Sequence, residues 1–241
     1  MTDTINFEYR FCFADGKCVE IPLQLDEATL MLASNAEPQP AFWTELDFER
    51  CSVCPLEPEQ HQHCPIALNL AAIVNIFHDY NSYDHVTVEV CDDQRRYIKE
   101  TSLQNGLGPL MGIVMVSTGC PVMEPLRPLV RFHLPFASME ENDFRIVSMY
   151  LIAQYFRGKH GKTPDWSLQG LQKIYDKVSE VNRCFAKRLR HATTRDASIN
   201  ALVVLDCFAK GVPFAVRTTL SDYEKYFHNY INEEFVQKAG N

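Results

Sequence analysis

Phe7-Glu8-Tyr9-Arg10-Phe11-Cys12-Phe13-Ala14-Asp15-Gly16-Lys17-Cys18-Val19-Glu20-Ile21-Pro22-Leu23-Gln24-Leu25 is the stretch that decides the fold. Phe7, Tyr9, Phe11 and Phe13 alternate with Glu8, Arg10 and Cys12; beyond Asp15-Gly16, Val19, Ile21, Leu23 and Leu25 alternate with Glu20 and Gln24. A period of two places every second side chain on one face of a strand, and Asp-Gly between two such runs is a hairpin signal. Cys12 and Cys18 fall on the opposite set from the apolar residues, where they can meet across the strands. They are read as structural thiols, because disulfides are rare in a reducing compartment.

A second hairpin follows further along. His85-Val86-Thr87-Val88-Glu89-Val90 alternates, Cys91-Asp92-Asp93-Gln94 is a polar turn, and another strand runs near Arg96 to Leu103. Between the hairpins, Asp26 to Pro40 reads as a short helix and then a loop. Ile66, Leu70, Ile73 and Phe77 keep helical spacing in a segment that opens at Pro65, with Asn81-Ser82 as its break. These elements predict an α+β fold: an antiparallel sheet of about four strands from two hairpins, packed with helices and followed by an all-helical C-terminal half.

Gly106-Leu107-Gly108-Pro109 is expected to open an all-apolar helix from Leu110 to Val116, with Gly119 as a left-handed cap. Four prolines then make 120–136 an irregular connector. Ser138 and Glu141 form a capping-box pattern ahead of a helix with Phe144, Val147, Leu151 and Tyr155 on its inner face and Gly158 near its end. Asp165 caps the next helix, read as the longest, whose apolar stripe is Leu168, Leu171, Tyr175, Val178, Phe185 and Leu189. The cations at its far end, Arg183, Lys187, Arg188, Arg190 and His191, suit a helix C-terminus. Ala201 to Phe208 forms a helix closed by Gly211, and Ser221 with Glu224 starts a last one. The composition divides the chain into an α+β part, 1–135, and a helical part, 136–241, expected to pack as one unit.

The chemistry concentrates in one loop. Cys51-Ser52-Val53-Cys54-Pro55 runs through His61 and His63 to Cys64-Pro65, and Ser117-Thr118-Gly119-Cys120-Pro121 holds the only other cysteine followed by proline. Proline keeps the preceding residue out of the helical region, and it suits a first helical position, so Cys64 is expected at a helix N-cap. A thiolate there faces the positive end of the helix dipole. Cys51, Cys54, Cys64 and Cys120 are therefore read as one metal site. A close cysteine group plus a remote one fits a [4Fe–4S] cluster; a Cys-x2-Cys pair with further Cys or His fits zinc, in which case His61 or His63 completes the set in place of Cys120. Arg127, Arg131 and His133 lie along the connector and either wrap the site or pair with surface carboxylates.

The chain has 241 residues, 46% of them hydrophobic, enough for a substantial core. A net charge of -8 and a pI near 5.5 argue against nucleic-acid binding through bulk charge. Met1 to Asn6 carries neither a positive start nor an apolar signal core, and no apolar run reaches the roughly 18 residues of a membrane span. A cytoplasmic protein with mostly free thiols is the expectation, with no membrane partner and no defined oligomeric state. No dinucleotide fingerprint, Walker loop, nucleophile elbow, His-Glu-x-x-His or radical S-adenosylmethionine triplet occurs. An acid–base pair of His133 with Glu140 or Glu141 rests on sequence proximity alone.

The pieces Cys51-x2-Cys54-Pro55, Cys64-Pro65-Ile66-Ala67, Gly119-Cys120-Pro121 and His133-Leu134-Pro135-Phe136-Ala137, in that order, resemble an uncharacterised bacterial protein family. The resemblance implies a bacterial cytosolic protein with a four-cysteine site, and it carries no catalytic residue across. Two functions follow: an iron–sulfur protein for redox sensing or electron transfer, or a zinc-stabilised module that recognises a protein partner through its helical half.

Overall fold

The computed structural model describes residues 3–33, 40–218 and 220–231. Strands β1 (Thr4–Phe13) and β2 (Cys18–Asp26) form the first hairpin; β3 (His85–Asp92) and β4 (Arg96–Ser102) form the second. They join side by side through β1 and β3 in an antiparallel sheet of order β2-β1-β3-β4. Phe11, for example, stands opposite both Val19 and Val88. Pro22 lies on β2, an edge strand, where a missing N–H costs no ladder bond.

The alternation seen in the sequence becomes the two faces of this sheet. Phe7, Tyr9, Phe11, Ile21, Leu23, Leu25, Val86, Val88 and Val90 are buried on one side. Helices α1 (Pro65–Ile76) and α2 (Leu103–Val116) belong to the same hydrophobic core. Phe11 meets Phe77, at the end of α1, edge to face at 5.1 Å. Burying a side chain of this size stabilises by about 1.5–3 kcal/mol, so the inner face supplies much of the drive to fold.

Helix α2 begins earlier than its sequence suggests. Leu103 starts it, and Gly106, Gly108 and Pro109 lie inside it. Gly106 is there for close packing: a Cβ at that position would sit 2.7 Å from Val88 Cγ2 and 3.1 Å from Phe11 Cε1. Gly106→Ala should therefore destabilise the protein by about 1–3 kcal/mol, although alanine is the better helix former, and urea denaturation measures it. A stability equal to or above wild type would show that the sheet can yield there.

Two short helical turns, Glu124–Leu126 and α3 (Pro128–Arg131), occupy the proline-rich connector. Helices α4 (Met139–Lys159), α5 (Gln169–Leu189) and α6 (Ala197–Thr218) follow, then α7 (Leu220–Tyr223), a turn at Glu224–Tyr226 and α8 (His228–Ile231). Ser138 and Glu141 make the expected capping box. The buried face of α4 is Asp143, Ile146, Val147, Tyr150 and Gln154, while Phe144, Leu151 and Tyr155 are exposed. The expected stripe was turned by about one residue, because two polar side chains belong to the inner face. Helix α4 also runs past Gly158, and the chain turns at Gly161, whose φ is +70°.

Asp165 does serve the start of α5, accepting from the Gly170 N–H at 2.7 Å and from Tyr150 Oη at 2.9 Å, but the N-cap itself is Leu168 in a left-handed conformation. Helix α6 has 22 residues, one more than α5, and continues through Gly211 and Pro213. The segment expected as one last helix is broken into α7, the turn and α8. No helix forms at 26–33: Asp26 Oδ1 accepts from Thr29 N at 2.7 Å and Leu32 bridges back to Leu25, so the chain turns and returns to the sheet. Residues 34–39 of that expected helix and loop lie outside the described residues. Helices α5 and α6 pack against each other, and α6 packs on α2, so the core continues from the sheet layer into the helices.

Candidate functional site

The cysteine loop is tied at its base by a short ladder. Leu46 N–H donates to Gln62 O at 2.9 Å, Cys64 N–H donates to Thr44 O at 2.8 Å, and Glu45 bridges to His63. Within the loop, Cys54 N–H donates to Cys51 O at 3.0 Å, closing a turn that puts both cysteines of the pair near its base. Cys64 is the N-cap of α1, with Pro65 at the first helical position, as its spacing predicted. Cys120 is buried just after Gly119, whose φ of +85° turns the chain out of α2.

The four thiols lie within electrostatic range of one another. Cys54, Cys64 and Cys120 lie close enough to Cys51 for their charges to raise its pKa; Cys64 and Cys54 do the same to Cys120, and Cys54 to Cys64. Every pairing among the four is thus represented. Burial is the larger influence at each of these three: it holds the Cys51 and Cys64 thiols above the usual range and pushes Cys120 up to about 11. Opposing it are backbone N–H donors, from Ala67 and Ile66 to Cys64 and from Met123 and Val122 to Cys120. Both sets sit at the start of a turn or helix, where N–H groups point toward the preceding residue.

Two residues outside the predicted ligand set, Cys184 and Arg188, act on these thiols. Cys184 of α5 is, after burial, the strongest influence on Cys51. Its thiol is 3.3 Å from Glu180 Oε1, which also accepts from Ser52 Oγ at 2.6 Å, so α5 grips the loop beside Cys51. Arg188 is only 2% exposed. Its guanidinium donates to the carbonyls of Trp43 at 2.5 Å, Glu45 at 2.6 Å and Leu46 at 3.3 Å, and its charge lowers the pKa of Cys64. Glu180, Cys184 and Arg188 are spaced by four, which places them on one face of α5. That spacing was the available signal; it was hidden among the cations of the helix end.

As they stand, no three or more His, Cys, Asp or Glu side chains among the described residues are grouped as a single bound ion needs. His63 Nδ1 is taken up by Thr44 Oγ1 at 3.0 Å, and His61 is exposed. The connector side chains do not surround the thiols. Arg127 pairs with Glu124, Arg131 pairs with Glu27, and His133 Nε2 is hydrogen-bonded to Tyr9 Oη at 2.5 Å. Glu141 is used in the capping box, so no acid–base pair with His133 forms through it. Cys12 and Cys18 are a correction of a different kind: they are joined in a disulfide. They face each other in the ladder next to the bonded Phe13–Lys17 pair, with Cα atoms 4.2 Å apart, and in such positions side chains approach most closely.

Burial holds His133 neutral, lowering its pKa from 6.5 to about 3. The unfolded chain then binds the extra proton between those values, so this contribution is present above pH 6.5 and is lost as pH falls toward 3. A loss on the order of 5 kcal/mol is expected over that window, and His133→Gln should flatten it. Equal slopes for the two proteins in acid-titrated urea denaturation would contradict this.

Among the described residues, no helix is long and apolar enough to cross a membrane. No curated protein and no solved structure matches the chain. Residues 7–228 match the family model described as "Domain of unknown function (DUF6901)", and the chain belongs to that family.

Proposed function

We propose that Cys51, Cys54, Cys64 and Cys120 hold a [4Fe–4S] cluster, used for redox sensing or electron transfer in a bacterial cytoplasmic protein. The observation that carries this reading is that four thiols from three separate segments lie within electrostatic range of one another. Buried thiolates without a counter-charge are costly, and bound iron compensates them. Backbone N–H groups aimed at Cys64 and Cys120, with the Arg188 guanidinium nearby, are the kind of surroundings that set a cluster's potential. In a cubane cluster each thiolate binds a different iron, so the sulfurs need not crowd round one ion, which favours a cluster over zinc here. Ligation by four cysteines leaves no open iron for a substrate. That points to electron transfer or sensing rather than Lewis-acid catalysis.

A second reading has its own support. Met139, Phe144, Ile152, Tyr155 and Phe156 of α4 are exposed, an apolar surface suited to a protein partner. In that case zinc would pin the cysteine loop, and recognition would fall to the helical half. Anaerobic purification separates the two: brown protein with broad absorbance at about 400 nm, iron and sulfide supports the cluster, and colourless protein with one zinc supports the module.

A further inference from the structure

We propose that a cavity on the other side of α2 binds a small amphipathic amine, its apolar body enclosed by the helices and its ammonium group paired with Asp143. The cavity measures about 410 Å³ and is bounded by β4, α2, α3, α4, α5 and α6. That is within the range of small-molecule sites, roughly 300–1,000 Å³. Its walls are mainly aliphatic and aromatic, with Ile113, Val116, Leu129, Leu205 and Phe208 among them.

Asp143 projects into this apolar space from α4. It is only 6% exposed, and its Oδ1 has no hydrogen-bond partner. Burial alone raises its pKa; no cation acts on it. An ionised carboxylate left so costs several kcal/mol, which is why buried charges are nearly always paired. Two more polar side chains lining the cavity, Tyr175 and Asn182, are buried. Tyr175 also lies near enough to Asp143 to feel its charge.

These groups specify the head of the occupant. A carboxylate accepts and does not donate, so the partner must bring N–H or O–H; a cation brings charge as well. An anion beside Asp143 would meet a like charge; Lys99 also lines the cavity, but its ammonium sits 5.9 Å from the Phe136 ring centre and is not among the groups that shift Asp143. A metal ion would need more ligands than the one acidic side chain lining the cavity. Arg145 also lines the cavity, but its guanidinium donates to the Phe132 carbonyl at 2.6 Å and the Leu129 carbonyl at 3.2 Å and is not among the groups that shift Asp143. An ammonium head at Asp143, beside the Tyr175 hydroxyl and the Asn182 amide, fits the charge, and an alkyl or aryl body fits the walls.

The test is calorimetric titration of the full chain with n-octylamine, n-octanol and octanoate. One saturable site is expected, with octylamine bound at least roughly tenfold more tightly than either of the others. Asp143→Asn should remove that preference and leave octanol binding unchanged, while Leu205→Trp, which fills the cavity, should weaken octylamine and octanol together. Equal binding of octanol and octylamine, no binding of any, or a preference that survives Asp143→Asn would each overturn the proposal. Circular dichroism of both variants confirms that they fold.

Discussion

Protein carrying Cys64→Ala, purified without oxygen, should lose iron and sulfide at least about tenfold relative to wild type, together with its absorbance at about 400 nm. Cys64 is the most telling of the four ligands because α1 begins on it. Its thiol receives the Ala67 and Ile66 N–H groups and lies near Arg188, so no neighbouring side chain can take over the same position. The fold should survive, since Pro65 and the buried face of α1 are untouched. Cys207→Ala is the matching control: Cys207 is exposed on α6 and is not among the groups that shift Cys51, Cys64 or Cys120. Equal iron in wild type and the Cys64 variant would remove Cys64 from the ligand set.

Arg188→Leu should be the most destabilising single change near the site. Leucine leaves the carbonyls of Trp43, Glu45 and Leu46 without their buried donor, and the ladder that closes the cysteine loop depends on that same strip of backbone. Losing one side of a buried, charge-assisted network costs about 3–5 kcal/mol, which for a chain of this size lowers the melting temperature by roughly 10 °C. Iron retention should fall as well, because Cys51 and Cys54 are held by that loop. Arg188→Lys should lie between, as an ammonium cannot span three carbonyls with a planar fork. A change below about 1 kcal/mol in Arg188→Leu would show that the loop is held by other contacts.

The sheet was legible because its signal is local: Phe7 to Leu25 states both strands, the turn and the buried face in one stretch. Cys64 was legible for the same reason, since what proline does to the residue before it requires no tertiary context. Helix α2 was misread at Gly106-Leu107-Gly108-Pro109 because those residues are normally punctuation. Here one glycine is demanded by Val88 and Phe11, which come from two other strands. The inner face of α4 was missed because Asp143 and Gln154 lie on it, one facing a cavity and the other accepting from the Asp165 N–H at 2.9 Å. Arg188 and Cys184 were missed for a related reason: a cation near a helix C-terminus looks satisfied by the dipole, and only the approach of the 43–46 backbone turns it into a buried anchor. The disulfide of Cys12 and Cys18 follows from strand register, but whether two facing thiols bond depends on their surroundings, about which the hairpin pattern says nothing.

The most direct measurement is the iron, acid-labile sulfide and zinc content of wild-type protein purified and kept under strict anaerobic conditions. About four iron and four sulfide per chain, with broad absorbance at about 400 nm that bleaches on reduction, is the expected result. Protein that is colourless, holds no sulfide and either carries one zinc or no metal at all would contradict a cluster at Cys51, Cys54, Cys64 and Cys120.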